Sequence, residues 1–432
     1  MSIGSDSAHA GLFALDPHTV RCPHEVLARL REESPARWID EIEAYAVTRY
    51  EDIVYVNRHP ERFSSRTATG PVLARQMGES IATLVAEDPE VRDVISGRAA
   101  RGRTAVLLNA DPPLHSRQRT LVNRSFSLRA AKAREEDIRR LTDELIDSFP
   151  ADGEVELVTA LGVPLPLAVI ADALGVPISD MADFKRWSDD FVVAIGNHNL
   201  SKEDLRRMLQ SQAAFFSYFA DQIADRRVSP RDDVVTEVVS ARLDGEELTE
   251  AEMLSMFSQF LVAGNETTTK LIASAALRLA LDPELADRLR DDPPLIGEFV
   301  EEVLRLEAPV QGLFRVATEA TEVGGVPIPE GAHLWMVYAA GNRDGSVFPS
   351  PDECVLDRQS RYPHLAFGVG EHFCLGASLA RVEAKVALER LLGRYATIEL
   401  VGDADDLEYE ASYVLHGLRR LPLRLTASEE ER

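Results

Sequence analysis

A chain of 432 residues with a formal net charge of −25 and 45% hydrophobic residues has the balance of a soluble globular protein, and its acidity excludes bulk binding to nucleic acid. Its only cysteines, Cys22, Cys354 and Cys374, exclude a disulfide framework and a four-cysteine zinc site and fit a reducing cytoplasm. No apolar run reaches the roughly 18 residues of a transmembrane helix, and the acidic start lacks the basic region of a signal peptide.

The length allows two or three domains or one large one. Residues 1–22 read as a loose lead-in, and Pro23 opens a helix reaching about Arg31. Ala36-Arg-Trp-Ile and Ala44-Tyr-Ala-Val-Thr read as two short strands, followed by a helix from Tyr50 to Arg58 that ends before Pro60. Gly70-Pro71 reads as a breaker, with a helix over Ser80–Ala86 capped by Ser80. A short helical turn after Pro89 and an arginine-flanked loop at Gly102 complete a long connection. Asp111-Pro-Pro-Leu-His-Ser-Arg-Gln-Arg starts a helix with prolines in its first turn; His115 and Arg119, four apart, share a face.

Val155–Ala173 is apolar and reads as buried, and two amphipathic helices follow over Asp180–Ile195 and Lys202–Arg226. Phe184, Trp187, Phe191, Phe215 and Phe216 on them read as core. A longer helix runs from Thr249, which forms a capping box with Glu252, to Leu281, where Pro283 closes it. Its apolar middle, including Phe257, Phe260 and Leu261, gives way to Ala263-Gly-Asn-Glu-Thr-Thr-Thr. Such residues are locally costly in a buried helix and suggest a working site, though by periodicity alone a kink with back-bonded threonines is the better account.

Further on, Glu302-Val-Leu-Arg305 lies on a helix, Pro309-Val-Gln-Gly-Leu-Phe-Arg315 leads into a strand, and Ser412–His416 reads as a hairpin tip before an acidic tail at 426–432. The densest signal is Phe367-Gly-Val-Gly-Glu-His-Phe-Cys-Leu-Gly376. Three glycines let backbone approach a large flat group, and N–H groups of the turn and the next helix can hold the Cys374 sulfur as a thiolate.

This stretch resembles the haem-binding loop of the cytochrome P450 family, F-x-x-G-x-[HR]-x-C-x-G, filled by Phe367, Gly370, His372, Cys374 and Gly376. The resemblance implies one mainly α domain over 1–432 with a small β region (α+β), and a haem b between the long helix and the Cys374 loop. Cys374 would be the axial ligand of the iron, with Phe367, Gly368, His372 and Gly376 around it. The family's D-P-P-x-H-x-x-x-R pattern makes His115 and Arg119 partners of the haem propionates, and Arg315 a third. The [AG]-G-x-[DE]-T-[TS] pattern makes Glu266 and Thr267 the acid and alcohol that deliver protons during oxygen activation. Phe260, Ala263, Gly264, Val310, Gln311, Leu313 and Phe314 would offer pocket contacts. E-x-x-R, filled by Glu302 and Arg305, would join Arg358 in a structural trio.

The implied activity is a soluble, cytoplasmic, bacterial-type monooxygenase with no membrane anchor. It would insert one atom of O2 into a small-to-medium apolar organic substrate by hydroxylation or epoxidation. The chain contains no flavin or iron–sulfur module, so electrons would come from a separate acidic ferredoxin and its reductase. A basic island at residues 115–134, free of Asp and Glu, would receive that donor. A peroxide-driven or isomerising haem-thiolate enzyme and a non-catalytic haem-binding partner protein are the alternatives. The acid–alcohol pair speaks against the former and Cys374 against the latter.

Overall fold

The computed structural model describes residues 9–89, 92, 105–193, 195–197, 200–243, 245–359 and 362–428. The expected turn after Pro89 and the loop around Gly102 lie outside these. The fold is organised on one helix, Glu250–Leu281, of 32 residues, about 48 Å long at 1.5 Å per residue. Thr249 and Glu252 close its first turn reciprocally, each side chain meeting the other's backbone N–H. From Leu271 to Leu277 its residues are buried among the helices Pro164–Ala173, Leu295–Glu307 and Ala377–Arg394. Its first half buries Met253, Phe257, Phe260 and Leu261 against Met181–Val192 and Lys202–Val228. Phe184, Trp187 and Phe215 fill that second core, so most of this largely apolar helix is covered.

A five-stranded sheet stands beside the helices, in the order Ala36–Ile39, Ala44–Val47, His333–Met336, Leu313–Ala317, Phe63–Ser64. The Ala44–Val47 and His333–Met336 strands run parallel and the other neighbours antiparallel. Alternation along Leu313–Ala317 sends Phe314 and Arg315 to opposite faces. Phe314 stacks on Trp335 with centroids 6.3 Å apart and is fully buried in the sheet's core, so it is packing rather than the expected pocket contact.

Several expectations are corrected. Residues 10–21 are not loose: they form the short helices Ala10–Phe13 and Pro17–Arg21, and Leu12, Phe13 and Val20 are buried, Phe13 edge-on to Trp335 and Tyr413. With Leu15, four buried apolar side chains in twelve residues suffice to dock the segment. Gly70-Pro71 does not break a helix but begins one, Pro71–Glu87, because proline suits the first turn, and Ser80 falls inside it. The helix after Asp111 begins only at Leu114, since the Asp111 carboxylate serves Ser64 and Ser65 instead of capping it. The last strand, Pro422–Ala427, carries residues 426 and 427 into a three-stranded sheet, pairing Thr426 with Asp152.

Candidate active site

The Cys374 loop is anchored from both sides. The Cys374 N–H donates to Phe367 O at 2.8 Å. The Arg381 guanidinium lies 4.5 Å over the Phe367 ring while its Nε and Nη2 donate to Glu301 at 2.6 and 2.9 Å. His364 Nε2 hydrogen-bonds to the same carboxylate at 3.2 Å. Gly370 has φ +81°, and a Cβ there would lie 2.6 Å from Asn57 O, so the loop can lie this close to the Tyr50–Arg58 helix only with glycine. Gly376 caps the helix Ala377–Arg394. Burial raises the Cys374 thiol, opposed by the Gly376 N–H, Arg119, Arg381 and the Ala377 N–H. Every one of these opposing groups favours the anion.

Four groups able to carry positive charge converge beside this loop. His115 and His372 stack with centroids 3.9 Å apart, and His372 Nε2 hydrogen-bonds Ser65 Oγ at 3.0 Å. His115 Nδ1 is buried and without a partner, 4.0 Å from Glu371 Oε2. Arg315, 2% exposed, donates to Phe314 O at 2.8 Å and Asn57 Oδ1 at 3.2 Å, and no carboxylate among the described residues meets it. Arg119, half-buried, has no acidic partner among them either; burial lowers its pKa, and the charge that opposes this is that of Cys374. Burial first, then Arg119 and Arg315, pushes His115 down to about 4; burial, Arg315, His115 and Arg119 push His372 down to about 2. Buried guanidinium groups are rare unless matched by an anion. A haem group, with a flat macrocycle, an iron that accepts a thiolate and two propionates, fits this donor set.

The central helix passes the expected acid–alcohol pair without a break. Ala263 to Thr269 is continuous α-helix, and Thr267 Oγ1 donates to Ala263 O at 2.9 Å. Thr267 is thus back-bonded one turn along the helix, whereas Thr269 Oγ1 donates instead to Gly162 O at 2.7 Å. Glu266 Oε1 accepts from Lys270 Nζ, a partner the sequence reading did not single out although an i, i+4 pair was visible there. Gly264 sits at the crossing with Pro164–Ala173, where a Cβ would be 3.3 Å from Ile170. Ala263 is exposed, and Phe260 packs against Phe126 with centroids 5.2 Å apart.

Val310 bridges to Leu415 of the C-terminal hairpin, and Leu313 is half-buried at the sheet. Gln311 gives its amide nitrogen to Glu307 O and Ala308 O at 2.9 and 2.8 Å, leaving only Oε1 unpartnered. Glu302 accepts from Arg305 Nε and Nη2 at 2.8 and 2.9 Å and from Arg358 Nε at 3.0 Å, so the three lie together. A cluster with no local signature in the chain brings ligand-capable atoms of His24, Glu307 and His416 within 4.8 Å of one another. Arg343 donates to His24 Nε2 at 3.2 Å and Arg278 Nε to Glu307 at 3.0 Å, so two of these groups are already engaged in a buried polar network.

A sequence model of the family described as Cytochrome P450 matches residues 85–420. The chain belongs to the cytochrome P450 family. It is 35% identical over 416 residues to Cytochrome P450 107B1 of Saccharopolyspora erythraea, covering 96% of this chain and 97% of that one. The structure of Cytochrome P450 CYP109Q5 from Chondromyces apiculatus superposes with a TM-score of 0.80 at 34% identity, over 96% of this chain and 98% of that one. CYP109E1 from Bacillus megaterium, solved in complex with testosterone, gives 0.79 at 32% identity, over 94% and 98%. This P450 is a haem-thiolate monooxygenase whose cofactor is haem b. No helix among the described residues is long and apolar enough to cross a membrane.

Proposed function

We propose that Cys374 supplies the thiolate to the haem iron, and that His115, Arg119 and Arg315 hold the propionates. The observation that carries this reading is the convergence of His115 with the Arg119 and Arg315 guanidinium groups, neither of which meets a carboxylate among the described residues, on a loop whose N–H groups favour the Cys374 anion. The group supplies the oxygen-activating chemistry. The protein's own residues then have three tasks. Glu266 and Thr267 handle protons on the central helix. Phe260, Ala263, Val310 and Leu313 form the apolar wall that excludes water and orients the substrate. Glu302, Arg305 and Arg358 stiffen the fold behind the loop.

The substrate in this reading is a small-to-medium apolar organic molecule, supported by the apolar wall and by the steroid in the Bacillus megaterium complex. The electron donor is an acidic ferredoxin. Arg124, Arg129 and Lys132 are exposed around Leu128, itself 57% exposed, on a helix that packs against Ala377–Arg394 beside the Cys374 loop. An apolar centre with a basic rim suits an acidic protein partner.

A carbon monoxide difference spectrum of the reduced protein tests the ligand. Cys22→Ala and Cys354→Ala retain the thiolate signature, and Cys374→Ala loses it. A thiolate-type spectrum in Cys374→Ala would overturn the assignment.

A further inference from the structure

Lys270 is a charged residue in the wrong place for a soluble protein: its side chain is 1% exposed, in the middle of the central helix. Its stem occupies space left by a glycine on another element. A Cβ at Gly417 would lie 2.3 Å from Lys270 Cγ and 2.6 Å from Lys270 Cβ. Gly417 belongs to the C-terminal hairpin, where its carbonyl accepts from Glu410 N at 3.0 Å and where Tyr409 bridges to Leu418. The hairpin therefore straps the lysine onto the helix, and the other residue of that backbone pair, Glu410, brings a carboxylate to 4.0 Å from Nζ.

A buried ammonium is tolerated only when paired, and a lysine offers three donors on a flexible stem. Here the pairing is with Glu266 Oε1 on the same helix, and among the described residues Lys270 is the only hydrogen-bond partner of that carboxylate. One cation thus faces two carboxylates, one on the helix that carries the acid–alcohol pair and one on the hairpin. The hairpin's other end reaches the substrate wall, where Val414 O accepts from Gln311 N at 2.7 Å and Leu415 bridges to Val310.

We propose that Lys270 is a positioning residue for Glu266: it turns the carboxylate toward the C-terminal hairpin, and Glu410 is the alternative acceptor that lets the ammonium shift and release Glu266. This rests on the reading of Glu266 as the acid of the reaction. Gly417 is part of the device, because only a residue without a side chain lets the lysine stem pass between hairpin and helix.

The test combines Lys270→Met, which keeps the stem and removes the charge, with Glu266→Gln in the haem-loaded protein. The expected result is that Lys270→Met lowers turnover several-fold, with substrate affinity from spectral titration changed by less than about twofold. In the Glu266→Gln background it causes no further loss, since coupled residues depart from additivity. Thermal unfolding without substrate supplies a reading independent of turnover: the shifts of the two single variants do not sum to that of the double variant. Gly417→Ala, which displaces the stem without touching any charge, lowers turnover in the same direction. Should Lys270→Met fail to load haem, Lys270→Gln and Gly417→Ala carry the comparison. Losses that multiply in the double variant overturn the positioning role. So does an unchanged turnover in the lysine variants while Glu266→Gln is slow, a result that leaves the reading of Glu266 standing. Unchanged turnover in Glu266→Gln itself overturns both.

Discussion

Thr267 shows how much a single side chain's hydrogen-bond inventory decides. Its hydroxyl has one proton to donate, and Ala263 O receives it, so the Thr267 oxygen meets the active site as an acceptor. A water ordered by that oxygen is the proposed means of proton delivery. Thr267→Ala is expected to keep haem and substrate binding while product per electron consumed falls by about tenfold, because the product-forming branch slows relative to peroxide release. The missing electrons appear as peroxide. Measuring product, peroxide and cofactor oxidation in one assay checks this, and an unchanged yield removes Thr267 from the mechanism. His115 makes a complementary point. An i, i+4 partner of Arg119 was visible in the sequence, but the stacking on His372 and the orphaned Nδ1 arise only where two distant segments meet.

At the scale of elements, the helix Leu295–Glu307 behaves as a clamp. Glu302 and Arg305 are 5% and 1% exposed, and Arg305 also donates to Asn342 O, Pro351 O and Glu353 O at 3.1, 2.6 and 2.8 Å. The pair thus ties the helix to the long segment that leads into the Cys374 loop. Removing one partner of a buried pair costs about 3–5 kcal/mol, so Glu302→Ala is expected to yield little haem-loaded protein. A normal melting temperature for a fully loaded variant would contradict this.

Glu301, next along the helix, grips the loop directly. Burial would raise its carboxyl, but hydrogen bonds from Arg381 and His364 outweigh it and bring Glu301 to about 2. A carboxyl lowered on folding contributes stability that is complete above its unfolded value near 4.5 and is lost as pH falls toward 2. Melting temperature should therefore drop across that window, and Glu301→Gln should flatten the drop. An identical acid slope in the variant would mean that the Glu301 contact contributes nothing.

The whole molecule is strongly acidic, with 47 basic against 72 acidic side chains, and this makes a small basic island effective at selecting orientation. Arg119 is half-buried and Arg134 donates to Ser125 O at 3.5 Å, and the exposed basic residues of the island are Arg117, Arg124, Arg129 and Lys132, the ones on which the proposed docking rests. Reduction by an acidic ferredoxin should slow as salt exceeds about 0.1 M, where the Debye length is near 10 Å. Arg117→Glu and Arg124→Glu should slow it further, by about tenfold at low salt, within the range electrostatic steering covers, without altering substrate affinity. Stopped-flow reduction rates insensitive to salt and to both reversals would move the docking site elsewhere.

Local sequence determined a good deal at this scale. The loop from Phe367 to Gly376, the capping box at Thr249 and the Glu302–Arg305 spacing are short-range patterns, readable because glycine conformation, helix caps and i, i+3 geometry depend on neighbours in the chain. The long helix and the amphipathic pair before it were legible for the same reason. Tertiary structure decided what depends on meetings between remote segments. Residues 10–21 docked because a core hundreds of residues away offered Trp335 and Tyr413 as partners. Phe314 went to packing because its strand's register placed Arg315, not it, on the Asn57 side. The central helix stayed unbroken, and its Lys270 found room only because Gly417, nearly 150 positions further on, has no side chain to fill that space.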